Sequence, residues 1–125
     1  MTHKEGSPLT FEELKQLDEQ YVVQTYSRNP IAIDHGQGAT LYDLAGREYI
    51  DFTSGIGVCS LGYADEGWVN AITEQAGKLG HISNLFYTQP GPLLARELCT
   101  RSGLSKVFFG NSGAEANEAM IKVAR

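Results

Sequence analysis

The residues best suited to chemistry are Gly110-Asn111-Ser112-Gly113-Ala114. They follow the apolar run Val107-Phe108-Phe109 and precede Glu115-Ala116-Asn117-Glu118-Ala119-Met120-Ile121. A short, wholly apolar run is typical of a strand buried on both faces, and the stretch after it has helical composition. The five residues therefore read as a strand-to-helix turn. A helix start exposes unpaired N–H groups and about half a positive charge. Glycine there removes the side chain that would block an approaching anion, and Ser112 adds a hydroxyl donor. The consecutive amides of Gly113 and Ala114 can point at one cluster of oxygens, which makes a phosphate cup. Glu115 opposes this as an anion in the first turn, an objection removed if its side chain points outward. An ordinary helix capped by Asn111 or Ser112 has the same local pattern. The turn has neither the six-residue glycine fingerprint for dinucleotides nor the lysine of a P-loop, so the local pattern yields generic anion binding.

The elements that must position this turn are read from periodicity. Thr10-Phe11-Glu12-Glu13 has capping-box spacing, and Phe11, Leu14, Leu17 and Tyr21 recur at helical steps, which predicts a helix over about 11–22. Three short strands follow, Ile31–Asp34, Ala39–Asp43 and Arg47–Phe52, with turns at His35–Gly38 and Asp43–Gly46. They form a small antiparallel meander. Ser54 through Tyr63 interleaves three glycines with small apolar residues and reads as a buried, tightly packed loop. Asp65 caps a helix through Trp68, Ile72, Ala76 and Leu79 that ends at Gly80. Thr88 caps another, with Pro90 or Pro92 in its first turn and Gly103 as its stop.

Composition narrows the class of protein. The chain has 125 residues, 42% hydrophobic and 20% charged, and a formal net charge of −5. The ten basic residues are scattered, so neither a nucleic acid nor an anionic membrane finds a clustered positive surface. No apolar run reaches the length of a membrane span or the core of a signal peptide. Cys59 and Cys99 stand far apart without a metal-ligand pattern, as in a reduced cytoplasmic protein. Cys59 itself reads as a packed small apolar residue.

Several segments together resemble one family. Lys106-Val107-Phe108-Phe109-Gly110-Asn111-Ser112-Gly113-Ala114-Glu115-Ala116-Asn117-Glu118-Ala119 is similar to a signature segment of class-III, fold-type I pyridoxal-phosphate aminotransferases. So are Thr25-Tyr26-Ser27-Arg28-Asn29-Pro30, Asp43–Phe52, Ser54–Gly62 and Ser83-Asn84-Leu85-Phe86-Tyr87-Thr88, in family order at family-like spacing. The Thr-Tyr-x-Arg-x-Pro and Val-Cys-Ser-Leu-Gly versions most resemble the acetylornithine-using branch, while users of ornithine, succinylornithine and 4-aminobutyrate share much of the region. At one place the chain departs from the family: Leu61-Gly62-Tyr63-Ala64-Asp65-Glu66-Gly67 stands where Leu-Gly-His and, soon after, a His-Pro pair are usual.

The resemblance implies an α/β fold. A tail at 1–9 would precede the small-domain part at 10–63, made of helix, meander and glycine-rich loop. The start of the cofactor-binding large domain would occupy 64–125. It implies pyridoxal 5′-phosphate as cofactor, an amino donor and 2-oxoglutarate as substrates, and a homodimer. Ser112, Gly113 and Ala114 would hold the cofactor phosphate; Ser54, Gly55 and Val58 would line the substrate entrance. Tyr87 would shape the substrate pocket, although a core aromatic has the same pattern. The family's Schiff-base lysine would lie beyond Arg125, leaving these residues without a catalytic group and inactive alone. An unpaired strand at 107–109 and a helix without a terminator point the same way. The contrasting expectation is a stand-alone anion-binding module.

Overall fold

The computed structural model describes residues 9–125; the tail expected over 1–9 lies outside them except for Leu9. Helix α1 spans Phe11–Tyr21 and starts at the expected capping box. The Thr10 hydroxyl accepts the Glu13 N–H at 3.3 Å, and the Glu13 carboxylate accepts the Thr10 N–H at 2.9 Å. After α1 the linker is tied back to the helix: Asp18 accepts from Arg28 at 3.0 Å and from Gln24 at 3.1 Å.

The meander is present as an antiparallel sheet in the order β1-β2-β3, with β1 at Ile33–Gln37, β2 at Thr40–Asp43 and β3 at Glu48–Ile50. Its first turn is displaced from expectation. His35, Gly36 and Gln37 belong to β1, and the chain reverses at Gly38-Ala39, between the paired residues Gln37 and Thr40. Gly38 makes this possible because it takes φ = 57°, a left-handed conformation open to glycine at little cost. His35, read as a turn residue, instead stacks on Tyr42 across the strands with ring centroids 4.6 Å apart.

The second turn is as expected, with Gly46 at φ = 76° and its N–H on the Asp43 carbonyl at 2.9 Å. Asp43 is buried and fully satisfied. It accepts the backbone N–H groups of Ala45 and Arg47 and, on its other oxygen, Arg47 Nε at 2.8 Å and the Tyr49 hydroxyl at 2.9 Å. The Arg47 N–H above all, helped by these other donors, holds the carboxyl down at about 2.

After the short α2 (Ser54–Gly57), helices α3 (Glu66–Lys78), α4 (Pro90–Ser102) and α5 (Gly113–Val123) complete the described elements. Asp65 caps α3 by accepting the Trp68 N–H at 2.8 Å. Thr88 does not cap α4: the cap residue is Gln89, without a side-chain bond, and Pro90 at the first helical position needs no N–H partner. Gly103 ends α4 in the left-handed conformation, as the sequence predicts. The chain divides into two compact units, one reaching to Gly80 and the other from His81 to Arg125.

Two expectations are corrected. Val107-Phe108-Phe109 is not a strand and is not wholly buried: Phe108 is 69% and Phe109 51% exposed. No strand among the described residues pairs with it, and a segment without a ladder partner leaves its backbone groups unpaired by any sheet. Ser54 through Tyr63 is not a buried loop either: Ser54, Cys59, Gly62 and Tyr63 are half-buried and the rest are exposed. It contains the four-residue element α2 (Ser54–Gly57), a single turn with left-handed dihedrals at its centre, and Ile56 there is 96% exposed. Among the described residues no hydrophobic side chain is buried.

Candidate functional site

The turn before α5 has the geometry of a helix start. Ser112 is extended at φ = −149°, ψ = 162°, and its hydroxyl oxygen accepts the Glu115 N–H at 3.2 Å. The first intrahelical backbone bond runs from the Ala116 N–H to the Ser112 carbonyl at 3.0 Å. The amides of Gly113 and Ala114, at the first two helical positions, therefore have no intrahelical acceptor. A Cβ built on Gly113 would meet nothing within 4 Å, so space beside these donors is open.

Glu115, an objection to the phosphate cup that an outward side chain would have removed, does not point outward. Its carboxylate folds back over the turn and accepts the Asn111 N–H at 2.6 Å and the Ser112 hydroxyl at 3.4 Å. The physical reason is the same unpaired donors: a carboxylate three residues into a helix can satisfy N–H groups just before it. Asn111 and Ser112 are thus engaged internally. The open donors are the Gly113 and Ala114 amides, held in register by a turn tied from both ends.

The second group of expected residues sits in the other unit. Ser54, Gly55, Ile56 and Gly57 have φ of 48°, 58°, 61° and 80°. The turn closes through Ile56 N–H and Gly57 N–H on the Thr53 carbonyl, at 2.9 and 3.2 Å, and through Cys59 N–H on the Ser54 carbonyl at 2.9 Å. Left-handed helical backbone costs a non-glycine residue about 1–2 kcal/mol, and a β-branched residue such as Ile56 is rare there. Gly55 and Val58 are exposed and Ser54 is half-buried. Cys59, expected to be packed, is half-buried, with its sulfur 3.1 Å from where a Gly55 Cβ would stand.

What anchors this turn was missed at the sequence level. Asp51 accepts the Thr53 N–H at 2.7 Å and the Thr53 hydroxyl at 2.6 Å on one oxygen, and the Tyr63 hydroxyl at 2.7 Å on the other. The Thr53 hydroxyl first, then the Tyr63 hydroxyl and the Thr53 N–H, hold the Asp51 carboxyl down at about 2. Tyr63 is pushed up to about 12, chiefly because its proton is held by the Asp51 carboxylate. The only signals in the sequence were the Asp-x-Thr spacing, typical of a side chain that bonds the backbone two residues on, and the unusual Tyr63.

Tyr87, the remaining candidate, is fully exposed and has no ring contact or hydrogen bond among the described residues. The structure brings Ser112, Gly113 and Ala114 together on one turn, and Ser54, Gly55 and Val58 together on another.

The fold is that of the amino-terminal part of the fold-type I pyridoxal-phosphate aminotransferases. Residues 21–125 match the model of the class-III aminotransferases, and the chain belongs to that family. It is 56% identical over 117 residues to the acetylornithine aminotransferase of Haemophilus ducreyi, covering 94% of this chain and 30% of that protein. Among solved structures, the acetylornithine aminotransferase of Elizabethkingia anophelis superposes with a TM-score of 0.88 at 32% identity, over 94% of this chain and 30% of that one. The ornithine aminotransferase of Toxoplasma gondii superposes with a TM-score of 0.87, also at 32% identity, over 94% and 28%. The chain thus spans about 30% of the length of the relatives it matches. The family depends on pyridoxal phosphate.

Proposed function

We propose that these residues form the phosphate-holding turn and entrance loop of an acetylornithine aminotransferase. Such an enzyme moves an amino group from N-acetylornithine to 2-oxoglutarate, with pyridoxal 5′-phosphate as cofactor. The observation that carries the reading is the pair of open amides at Gly113 and Ala114, at the start of α5, in a chain with a 56%-identical relative of that name. Two N–H groups and a helix N-terminus suit the two negative charges of a phosphate monoester. When bound, the cofactor ring supplies an electron sink for the carbon that carries the substrate amine.

The roles of this chain's own residues follow from their positions. The Gly113 and Ala114 amides donate to the phosphate, and Ser112 sets their direction through its bond to the Glu115 N–H. Ser54, Gly55 and Val58 line the entrance, their backbone brought close by the left-handed turn. Tyr87, fully exposed here, shapes the pocket for the donor's side chain. We further propose a homodimer, and the cytoplasm as compartment, a reading supported by the free thiols Cys59 and Cys99. No helix among the described residues is long and apolar enough to cross a membrane.

The test is a chimera in which this chain replaces the matching segment of the Haemophilus ducreyi enzyme. The expected outcome is turnover of N-acetylornithine. Gly113→Pro then removes one donor without breaking α5, because proline is tolerated at the first helical position and Ser112 is already extended. Cofactor affinity should fall about tenfold or more, the effect of losing one hydrogen bond to a charged group. A Gly113→Pro chimera that kept parental affinity would show that the phosphate is held elsewhere. The Toxoplasma gondii match favours a second reading, an ornithine user. Comparing kcat/KM for ornithine and N-acetylornithine separates the two.

A further inference from the structure

We infer that Asp51 and Tyr63 are positioning residues for substrate: together they hold the left-handed turn Ser54–Gly57 in the shape that meets the amino donor. The inference rests on the entrance-loop role proposed for that turn.

The turn needs an external hold. Two of its four residues, Ser54 and Ile56, are not glycine yet have φ of 48° and 61°. Ile56 is almost wholly exposed, so no packing of its own side chain offsets the strain. Strained backbone persists only where its surroundings over-determine it. Here the surroundings are hydrogen bonds. Asp51 grips Thr53, the residue whose carbonyl accepts two of the three closing N–H groups of the turn, those of Ile56 and Gly57. Its second oxygen takes the Tyr63 hydroxyl at 2.7 Å.

Tyr63 is itself fixed on the sheet. Its N–H and carbonyl pair with Gly38, at 2.8 and 2.9 Å, in an isolated antiparallel bridge. Its ring lies so close to β1 that a Cβ on Gly36 would stand 2.6 Å from the ring's Cγ. Asp51 is held as well, by its N–H on the Ala39 carbonyl at 2.9 Å. The pair therefore connects the strained turn to the β1–β2 hairpin. Asp51, Tyr63, Ser54 and Cys59 also line a common cleft of about 330 Å³. Neither Asp51 nor Tyr63 has to touch the reacting atoms. Their contribution is to order Ser54, Gly55 and Val58 before substrate arrives, which lowers the entropy lost on binding.

The experiment uses the same active chimera. Tyr63→Phe keeps the ring on Gly36 and removes the hydroxyl; Asp51→Ala removes both oxygens. Each should raise KM for the amino donor about tenfold, with kcat and cofactor affinity within about twofold of the parent, the pattern of lost ground-state binding. Asp51→Asn keeps an oxygen for Thr53 and an amide that can donate to the Tyr63 oxygen, so it should restore nearly the parental KM. A rise of threefold or more in the first two variants, with the Asn rescue, supports the inference. A smaller rise overturns it. So does a parallel fall in kcat, cofactor affinity and thermal midpoint, which marks a general loss of structure. An inactive parent chimera instead refutes the entrance-loop reading, and this inference with it.

Discussion

At the scale of single residues, three groups in the meander unit are titratable in ways that affect stability. Asp43 and Asp51 are both lowered to about 2 from an ordinary 3.8. A carboxylate whose folded value is depressed contributes stability fully above its unfolded value and loses it as pH falls through the folded one. Both contributions are therefore complete above pH 3.8 and disappear toward pH 2. Tyr63, raised to about 12 from 10, has the opposite sense for a neutral acid: its contribution is complete below pH 10 and is lost as pH rises toward 12. Strand circular dichroism in the unit reaching to Gly80 should hold at pH 5 and fall between pH 4 and 2. Asp43→Ala should lower the signal already at pH 7, since it leaves Arg47 and Tyr49 without their acceptor. A flat signal from pH 5 to 2 would show that these carboxylates do not hold the sheet.

At the scale of elements, the ends of helices are decided by local chemistry and their faces are not. The box at Thr10 and Glu13 satisfies its own donors within four residues, so α1 starts where the spacing says. Thr10→Ala removes the cap and should cost about 1 kcal/mol, seen as a loss of helical ellipticity confined to α1. The same logic governs α5, where Glu115 folds back on Asn111. A cap and an anion site draw on the same unpaired N–H groups, which is why the sequence supported both readings. The structure shows the cap on Asn111 and Ser112 and, beside it, Gly113 and Ala114 amides without an intrahelical acceptor. The left-handed α2 is the reverse case. Its glycines were visible, but a handedness shared by Ser54 and Ile56 depends on Asp51 and Tyr63, and Tyr63 lies beyond the turn in sequence.

At the scale of the whole chain, many large apolar side chains are exposed. Trp68 and Ile72 on α3, Leu94 and Leu98 on α4, and Phe108 and Phe109 before α5 are all exposed, and no apolar side chain among the described residues is buried. Folding is driven by apolar burial, and exposed apolar patches of this extent mark surfaces that dock. The isolated 125-residue chain should bind a hydrophobic dye strongly, melt without a sharp transition and show no transaminase turnover. A sharp calorimetric transition with little dye binding would instead favour a self-sufficient anion-binding module.

What the sequence determined by itself is closed by short-range geometry, the missing Thr88 cap of α4 being the exception. The capping box at Thr10 and Glu13, the Asp43–Gly46 turn, the left-handed stop at Gly103 and the helix-opening amides at Gly113-Ala114 each need only a few neighbouring residues and a preferred dihedral. What only the tertiary structure decided depends on partners distant in the chain. The reversal moved to Gly38-Ala39 because strand register is a property of two strands. Val107–Phe109 is not a strand because a strand exists only beside another. The Ser54–Gly57 turn took its hand from a carboxylate and a phenol that the fold, not the spacing, brought to 2.7 Å.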